Sequence, residues 1–575
     1  MSTLRIRRFP EQLAAIPAHT PDELCNWLYA QRGVTDPAEV APGLSALAPL
    51  TTLHGLDSAV TRLIAALQAD QQILVVGDYD ADGATGSALA VRGLRDLGAR
   101  RVSFLVPSRF SNGYGLSPAL VDAAHAQGAD LILTVDNGIS SHAAIARANE
   151  LGIAVVITDH HLAGDALPTA DAIVNPNQPA CHFPSKHLAG VGVVFYLLAA
   201  LRGRLRELGW FSAARPEPNL ADRLDLVALG TVADVVSLDR NNRILVEQGL
   251  RRIRAGRACA GVLALLEVAG REPTRATATD FGFFVAPRLN AAGRLTEMSL
   301  GVECLLTDDP IQARAMAQQL DALNRERKAI EGEMKEAAEA ALVALMLDGA
   351  ALPPGVCLFG ADWHQGVLGI VAARLREHYH RPTITFADAG DGRLRGSGRS
   401  IEGLHLRDAL DWVNRQYPDL IEYFGGHAMA AGLTLHAGMF ERFRAAFIDA
   451  VRIQLGEVPP TPELRSDGAL PAALLTLETA AALRVAGPWG KDFPEPRFDD
   501  VFQIIEARGV GDEQQHLKLK VSATGGTVIE AIGFNLGAQL EQAHGAVRLV
   551  YRLDVNHYRG RQTLQLLVDY LTAPN

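Results

Sequence analysis

Short apolar runs alternate with segments of helical periodicity between residues 51 and 160. The runs are rich in Val, Ile and Leu, which is typical of strands buried on both faces of a parallel sheet. They lie at 73–76, 102–106, 131–135 and 153–157. The helical segments between them lie at 85–97, 118–127 and 142–150. This repeated β-α-β order predicts an α/β fold with a doubly wound parallel sheet.

The second half of the chain contains one long helical pattern and then changes to strands. Asp309 and Pro310 are typical of an N-cap and a first helical position, and a charged segment without proline extends from them to about residue 347. Residues 516–521 alternate apolar and basic side chains, as a half-buried strand does. Further strand patterns lie near 528–534, 546–555 and 562–568. These patterns predict a small β-barrel near the end of the chain.

A chain of 575 residues is too long for one hydrophobic core. The changes of pattern predict an N-terminal extension, an α/β domain, a connecting helix, a second α/β domain and a β domain. The predicted boundaries are 1–50, 51–300, 301–350, 351–455 and 456–575. The extension is rich in Pro and Ala and contains a helical pattern near residues 21–30.

The composition is that of an ordinary globular protein, with 48% hydrophobic and 21% charged residues. The five cysteines are scattered without a C-x-x-C pair, which argues against a disulfide framework or a cysteine zinc site. No stretch has the length and apolarity of a membrane span, and the first residues lack an apolar targeting segment. We therefore expect a cytoplasmic protein without a membrane partner. A net charge of −11 means that any polyanion would bind along a local basic stripe or cleft.

The first candidate chemistry follows the run at 73–76, where Asp78, Asp80 and Asp82 occupy alternate positions. Three such acids repel one another unless a cation or very good solvation separates them. The Asp-x-Asp-x-Asp-Gly pattern also opens a calcium-binding EF-hand loop, but position twelve of that loop would be Leu89 instead of Glu. A solvated acidic turn is the remaining alternative to a metal site.

Acidic residues also follow the next strands of the pattern. Asp136 follows the run at 131–135, and the triplet Asp159-His160-His161 follows the run at 153–157. The carboxyl ends of parallel strands meet at one edge of the sheet, where ligands bind. Asp234, after an apolar helix at 224–229, can complete a set of carboxylates and imidazole suited to Mn²⁺ or Mg²⁺. Two such ions can activate water and stabilise both oxygens of a phosphoryl ester.

The motifs DYDADG, VDNG, DHH and GTVADVV resemble the four motifs of the DHH phosphoesterase superfamily. Their order, and the later motifs PRLNAAGR, WHQGVLGIVAAR, GSGRS and GGHAMAAG, resemble those of the bacterial RecJ family of single-strand-specific 5′→3′ DNA exonucleases. The resemblance extends from about residue 50 to the end. It implies a DHH domain joined by a long helix to a smaller DHHA1 domain, a cleft between these two domains, and a C-terminal OB-like barrel.

The resemblance also implies roles for individual residues. The implied metal-site positions are Asp78, Asp80, Asp82, Asp136, His160 and Asp234. Asp136 and Asp234 are candidates for sharing between two ions, and Asp136, Asp159 and His161 are the candidate catalytic residues. His161 would touch the scissile phosphate or orient the site. Asp159 would be a metal ligand or would support one.

Glycine-rich loops let backbone N–H groups approach an anion closely, and Arg or His beside them adds charged donors. The candidate DNA and phosphate contacts are Arg109, Arg288, Arg399, Ser400, His427, Lys518 and Lys520. Arg109, Arg399 and Ser400 are expected to hold the 5′-terminal phosphate. For any single loop the alternative is a tight turn with a surface arginine and a core histidine, and basic strand faces are often only solvated.

The sequence thus favours a metal-dependent exonuclease that hydrolyses single-stranded DNA in the 5′→3′ direction, in DNA repair and recombination. One alternative is a DHH phosphoesterase acting on short oligonucleotides or small phosphate compounds, and another is a catalytically silent DNA-binding scaffold. The resemblance implies single-stranded DNA, a single-strand-binding protein and a helicase as partners. A self-contained cleft would be compatible with a monomer.

Overall fold

The computed structural model describes residues 4–9, 16–36, 39, 43–108, 115–347, 352–457, 460–523 and 526–574. The chain forms two compact units. The larger unit comprises residues 7–292, 297–321 and 465–575, and the smaller unit comprises residues 1–6, 293–296 and 322–464.

The strands and helices are numbered in chain order. The strands are β1 (Arg5–Arg8), β2 (Ile73–Val76), β3 (Val102–Leu105), β4 (Leu131–Val135), β5 (Ala154–Thr158), β6 (Ala172–Val174), β7 (Val356–Gly360), β8 (Thr383–Gly390), β9 (Arg393–Arg399), β10 (Tyr423–Gly426), β11 (Ala430–His436), β12 (Glu463–Ser466), β13 (Phe498–Val510), β14 (His516–Ser522), β15 (Val528–Gly533), β16 (Ala546–Tyr558) and β17 (Arg561–Thr572). The α-helices are α1 (Pro21–Gln31), α2 (Leu56–Gln68), α3 (Ala81–Asp96), α4 (Pro118–Ala126), α5 (His142–Glu150), α6 (Gly190–Glu207), α7 (Leu224–Ala233), α8 (Arg240–Arg254), α9 (Ala260–Val268), α10 (Ala278–Asp280), α11 (Ala286–Leu295), α12 (Ser299–Leu306), α13 (Pro310–Leu347), α14 (Leu368–Tyr379), α15 (Leu406–Gln416), α16 (Phe440–Leu455) and α17 (Leu477–Val485).

The first sheet of the larger unit is parallel throughout, in the strand order β3-β2-β4-β5-β6. Helices α4 and α5 pack on the face that carries Leu74, Ile132 and Val155. Val135 points to the opposite face, where it lies against Gly86 of α3, and α6 contacts β4 and β5 there. Coverage on both faces explains why β2 and β4 are buried at every position and apolar at all but Thr134. The predicted α/β class is confirmed.

Helix α3 begins at Ala81, four residues before the predicted start at residue 85. The cause is the side chain of Asp80, which accepts hydrogen bonds from the backbone N–H groups of Asp82 and Gly83 at 3.0 Å each. A carboxylate in this N-cap position stabilises the first turn of a helix. The acidic motif therefore follows the end of β2 directly and supplies the cap of α3.

Helix α13 starts as the sequence predicts, because Asp309 caps it by accepting a hydrogen bond from Ile311 N at 2.8 Å. The helix runs for 38 residues and passes from the larger unit into the smaller one along the chain. Within the described ranges, no helix combines the length and apolarity that crossing a membrane requires.

The smaller unit contains a mixed five-stranded sheet in the order β10-β11-β9-β8-β7. Only the β7–β8 pair of this sheet is parallel, and the other neighbours are antiparallel. Its core is aromatic, with Phe386 packed edge-on against Phe443 at 5.5 Å between ring centroids and Phe443 stacked on Phe447. This is the second α/β domain that the pattern predicts.

The C-terminal strands of the larger unit form a closed barrel in the order β13-β14-β15-β17-β16. The alternation in β14 is as predicted, since Leu517, Leu519 and Val521 are buried and the residues between them point outward. The long strand β13 has no predicted counterpart. It contains the adjacent acids Asp499 and Asp500, and a β-bulge between Ile504 and Glu506 interrupts its alternation of inward and outward side chains.

The barrel shares its core with the N-terminal part of the chain. Leu24 and Leu28 of α1 are fully buried in the same apolar cluster as Phe498 and Tyr551 of the barrel. The described residues 16–36, which lie in the predicted N-terminal extension, therefore contribute to the C-terminal core.

Candidate metal centre

The acidic motifs meet at the carboxyl edge of the parallel sheet. Strands β2, β4 and β5 are adjacent in the sheet, and each is followed directly by one of the acidic motifs. Asp234 caps the carboxyl end of α7, which packs against α3. The topology thus brings the predicted metal-site residues together.

Three overlapping groups of side chains could each hold a metal ion. Within each group the possible ligand atoms lie within 4.8 Å of one another. The groups are Asp78, Asp80 and Asp136; Asp82, His160 and Asp234; and Asp136, His160 and His161. Asp136 belongs to two groups, as expected of a residue shared between ions, whereas Asp234 belongs to one.

His160 lies among the carboxylates. Its Nε2 atom is 3.0 Å from Oδ1 of Asp136 and 3.5 Å from Oδ2 of Asp234. Among the described residues, this nitrogen and Oδ2 of Asp234 are buried without a hydrogen-bond partner. Burial and the positive charge of His161 lower the pKa of His160, so its ring is neutral and a nitrogen lone pair is available.

Ionising all the carboxylates of the cluster together is unfavourable. Burial, together with the negative charge of neighbouring acids, raises the pKa of Asp82 and of Asp234 to about 7. The same causes hold the pKa of Asp136 well above its ordinary value. Buried like charges of this kind call for a cation between them. Carboxylate oxygens with one imidazole nitrogen are a donor set that fits Mn²⁺ or Mg²⁺.

Asp82 also anchors a helix. Its two carboxylate oxygens accept hydrogen bonds from the backbone N–H groups of Gly190 and Val191, at 2.7 and 2.9 Å. These groups begin α6, so the carboxylate lies at the positive end of the helix dipole. Each oxygen keeps a further lone pair for a cation.

Asp159 and His161 form a separate pair. Asp159 is buried, and its Oδ1 lies 2.7 Å from Nδ1 of His161 while also accepting from the backbone N–H of His160 and His161. Its Oδ2 accepts from Ile139 N. Although burial opposes the change, the hydrogen bond and charge of His161 lower the pKa of Asp159 to about 2. Burial also opposes the rise at His161, but Asp159 raises the pKa of that histidine to about 9.

These contacts bear on the two roles left open for Asp159. Both of its oxygens are occupied by donors, and it belongs to none of the three candidate groups among the described residues. The geometry therefore favours a role in orienting His161 over direct ligation.

Sequence reasoning missed four asparagines that hold the centre in place. Asn137 donates to the carbonyls of Val76 and Val135 and so ties β2 to β4. The others bond the backbone of a motif. Asn175 donates to His161 O and Asn177 donates to His160 O, while the side-chain oxygen of Asn290 accepts from Ala81 N. For Asn137 in VDNG and Asn290 in PRLNAAGR, the position inside a motif was the available signal. Asn175 and Asn177 lie outside the motifs.

Two glycines allow the close packing of the centre. A Cβ atom at Gly83 would lie 2.5 Å from the backbone N and O of Asp78, and one at Gly190 would lie 2.6 Å from Cβ of Asp136. Neither position has room for a side chain.

In the smaller unit, Arg399 lies beside the start of a helix. Its guanidinium and the hydroxyl of Ser397 lie beside Gly369, in the first turn of α14, where an added Cβ would meet them at 2.7 and 2.9 Å. His427 is exposed in the β10–β11 turn. Ser400 is fully buried and its hydroxyl donates to Leu404 O at 2.8 Å, so its predicted phosphate contact has no support in this geometry.

The remaining candidates are either paired or outside the described residues. Arg109 lies outside them. Arg288 forms an ion pair with Asp321 at 2.9 Å. On the barrel, Lys518 pairs with Glu530 at 3.3 Å and Lys520 pairs with a glutamate at 2.6 Å. The strand face that the sequence presents as cationic is therefore a mixed face of lysines and glutamates.

Three protein-family models match the chain: "DHH family, N-terminal domain" at residues 72–231, "DHHA1 domain" at 350–452 and "RecJ OB domain" at 466–570. Together with the sheet edge and its acidic cluster, they define a DHH-type protein with a divalent-metal centre.

Two curated relatives match over nearly the full length of both chains. The single-stranded-DNA-specific exonuclease RecJ of Salmonella typhimurium is 52% identical over 98% of this chain and 98% of its own, and that of Escherichia coli K12 is 51% identical with the same coverage. The crystal structure of Thermus thermophilus RecJ with Mn²⁺ matches with a TM-score of 0.79 at 32% identity, covering 100% of this chain and 80% of that one. The chain belongs to the RecJ family. These matches support neither the small-substrate alternative nor the silent scaffold.

Proposed function

We infer that the protein is a metal-dependent exonuclease specific for single-stranded DNA, and we propose that it acts in the 5′→3′ direction. The observation that carries the inference is the cluster of carboxylates and imidazole at the sheet edge, in a chain that matches a single-stranded-DNA-specific exonuclease over 98% of its length. Thermus thermophilus RecJ binds Mn²⁺ and Mg²⁺ in its crystal structures.

The geometry supports an assignment of ligands to two ions. We assign Asp78, Asp80 and Asp136 to one ion, and Asp82, His160 and Asp234 to the other. The Oδ1 atom of Asp136 lies 3.0 Å from Nε2 of His160, which suits a carboxylate shared between the two groups. When bound, a pair of Mn²⁺ or Mg²⁺ ions supplies an activated water and neutralises charge on the phosphodiester.

The Asp159–His161 pair supplies a positive charge beside that site. Because Asp159 raises the pKa of His161 to about 9, against the effect of burial, the imidazole is protonated at neutral pH. Its Nδ1–H is directed to Asp159, and its second ring nitrogen, Nε2, is the donor we assign to a phosphate oxygen. The His161 side chain is 31% exposed, so a strand can reach it. We therefore give His161 the role of contacting the scissile phosphate.

The 5′-terminal phosphate has a candidate site in the smaller unit. Arg399 and Ser397 lie together at the first turn of α14, where backbone N–H groups and the helix dipole favour an anion. We propose Ser397 in place of Ser400, because the Ser400 hydroxyl is buried and bonded to Leu404. Arg109 and His427 remain predicted contacts of the same strand.

Further parts of the proposal rest on the family resemblance alone. They are interactions with a single-strand-binding protein and a helicase, a monomeric state and a cytoplasmic location. Arg288, Lys518 and Lys520 are retained as predicted DNA contacts, and each would have to exchange its present acidic partner for a phosphate.

The test is nucleotide release from single-stranded DNA labelled at the 5′ or the 3′ end, with Mn²⁺ and with chelator, for wild type and Asp136→Ala. We expect immediate release of the 5′ label by the wild type alone, and only with the metal. Early release of the 3′ label would overturn the direction. Strand binding without release in Mn²⁺ or Mg²⁺ would overturn the nuclease assignment.

A ladder of substrate lengths separates the long-strand enzyme from a phosphoesterase of small substrates. We expect kcat/KM to rise with added nucleotides, because the chain carries a barrel of the single-strand-binding type beyond its catalytic domain. A kcat/KM that is the same for a dinucleotide and a long strand would contradict this expectation.

A further inference from the structure

A braced turn lies in the larger unit between α17 and the barrel. Within residues 487–494, Trp489 stacks on Phe493 with ring centroids 5.2 Å apart, and Tyr29 of α1 stacks on Trp489 at 6.1 Å. The guanidinium of Arg243 lies over the Phe493 ring at 4.3 Å. Gly490 and Phe493 exchange backbone hydrogen bonds of 2.9 and 3.2 Å. The two residues between them, Lys491 and Asp492, are therefore held at the tip of a rigid turn.

This turn is attached to the segment that follows Asp234. The backbone N–H of Leu238 donates to Lys491 O at 2.9 Å. A Cβ atom at Gly490 would lie 2.7 Å from Cδ1 of Leu238, so the backbone of Gly490 also packs closely against the Leu238 side chain. Only three residues separate Leu238 from Asp234, which the metal centre uses. The tip of the turn is thus fixed near the Asp234 side of that centre.

Lys491 is exposed, and within the described part of the chain no carboxylate lies within 4 Å of its ammonium group. In this it differs from Lys518 and Lys520, which both pair with glutamates.

We propose that Lys491 binds a backbone phosphate of the DNA strand next to the metal centre. This inference rests on the proposed function. A strand that approaches a cluster of six metal-site residues, five of them acids, needs positive charge along its path to offset repulsion. A lysine is a strongly hydrated point charge with three donors, which suits a phosphate without demanding a fixed geometry. The braced turn holds this charge in place before the strand arrives.

The variants Lys491→Met and Lys491→Arg test the proposal, because the first removes the charge and keeps the length while the second keeps the charge. Asp492→Asn is the matched control, since it changes the same turn and asparagine tolerates the backbone φ of 58° at this position. The assay is steady-state release of nucleotides from a 20-nucleotide oligo-dT in Mn²⁺ at several salt concentrations.

We expect Lys491→Met to raise KM about tenfold with kcat nearly unchanged, as loss of one charged hydrogen bond does. The dependence of log KM on log salt should become shallower by about 0.7, the value for one phosphate contact on a single strand. Lys491→Arg should restore most of the affinity, and Asp492→Asn should behave as the wild type.

An unchanged KM and salt dependence in Lys491→Met would overturn the proposal. A fall in kcat or in Mn²⁺ affinity at constant KM would also overturn it, because Lys491 would then act on the metal centre. Thermal unfolding checks each variant, and Lys491→Gln replaces the methionine variant if that one melts early. A wild type without Mn²⁺-dependent release refutes the proposed function itself, which the Lys491 variants cannot do.

Discussion

At the scale of single residues, the metal centre illustrates a conflict between stability and function. Asp82, Asp136 and Asp234 belong to one cluster, and the pKa of each is raised by burial and by neighbouring acids. A group whose pKa is raised in the folded state costs stability at pH values where it is ionised. The same arrangement provides the charge density that holds a divalent cation.

We expect Asp136→Asn to lower Mn²⁺-dependent nucleotide release by at least about 100-fold, since even residues that only support a metal ligand matter by 10–100-fold. The metal-free variant should melt at a higher temperature than the wild type, because one buried charge is gone. Asparagine also tolerates the φ of 62° at this position.

Thermal unfolding with chelator and with Mn²⁺ measures the effect of Asp136→Asn on stability. Added Mn²⁺ should raise the melting temperature of the wild type more than that of the variant. Asp122→Asn, at an exposed ion pair with Arg147, is the control and should change neither quantity. A variant that melts below the wild type in chelator would contradict the repulsion argument.

Val235 shows local strain of another kind. It follows Asp234 directly, its φ is 57°, and it is 61% exposed. A β-branched residue in the left-handed region is strained by roughly 1–2 kcal/mol. Such strain persists where the surrounding structure holds the backbone, often at functional sites.

We expect Val235→Gly to raise the free energy of unfolding by about 1 kcal/mol, because glycine adopts positive φ freely. Urea unfolding of the chelator-treated protein measures the change. Val343→Gly, an exposed valine inside α13, is the control and should lower stability. If Val235→Gly were the less stable of the two, the backbone at this position would not be strained.

At the scale of elements, the centre is assembled by helix ends. Asp80 caps α3, and Asp82 caps the start of α6 through Gly190 and Val191. Asp234 is the C-cap of α7. Because each of these acids is also a candidate ligand, the position of a helix end and the geometry of the centre are coupled.

Gly190→Ala tests that coupling, because the added Cβ would lie 2.6 Å from Cβ of Asp136. Overpacking of this kind should lower stability by about 1–3 kcal/mol. It should also reduce Mn²⁺-dependent release by displacing Asp136. The stability and the Mn²⁺-dependent release are both measured on the whole chain.

The same helix supplies the control. Gly203 of α6 has nothing within 4 Å of an added Cβ. Gly203→Ala should therefore raise stability by about 1 kcal/mol through helix propensity alone, with activity unchanged. Equal behaviour of the two alanine variants would show that contact with Asp136 does not matter.

At the scale of the whole molecule, the larger unit brings distant parts of the chain together. Helix α1, near the N-terminus, shares a core with the barrel near the C-terminus. Arg32 and Asp467 form an ion pair of 3.0 Å whose side chains are only 3% and 7% exposed. Arg32 also donates to Pro494 O, so it holds the turn that carries Lys491.

We expect Arg32→Met to lower the free energy of unfolding by about 3–5 kcal/mol, because it leaves a buried carboxylate without its partner. The double variant Arg32→Met, Asp467→Leu should regain much of this loss. Urea unfolding measures both. Arg100→Met breaks an exposed pair with Asp70 and should change stability little. A double variant no more stable than the single one would argue against unpaired charge as the cause.

Particular elements show how far prediction from the sequence extended. The parallel strands, the long helix α13 and the family were predicted and are confirmed, because apolar runs, caps and motifs are local signals. Strand β13 was missed because its bulge hides the alternation. The start of α3 differs from prediction by four residues and that of β5 by one, since caps and registers depend on neighbours.

The sequence by itself determined which acids follow which strands, and parallel pairing then brings them to one edge of the sheet. Only the tertiary structure decided what each polar side chain contacts. It pairs Lys518 and Lys520 with glutamates, buries Ser400, places Ser397 at a helix start and attaches the Lys491 turn to Leu238. The physical reason is that backbone periodicity is a local property, whereas charge pairing and burial depend on which segments the fold packs against one another.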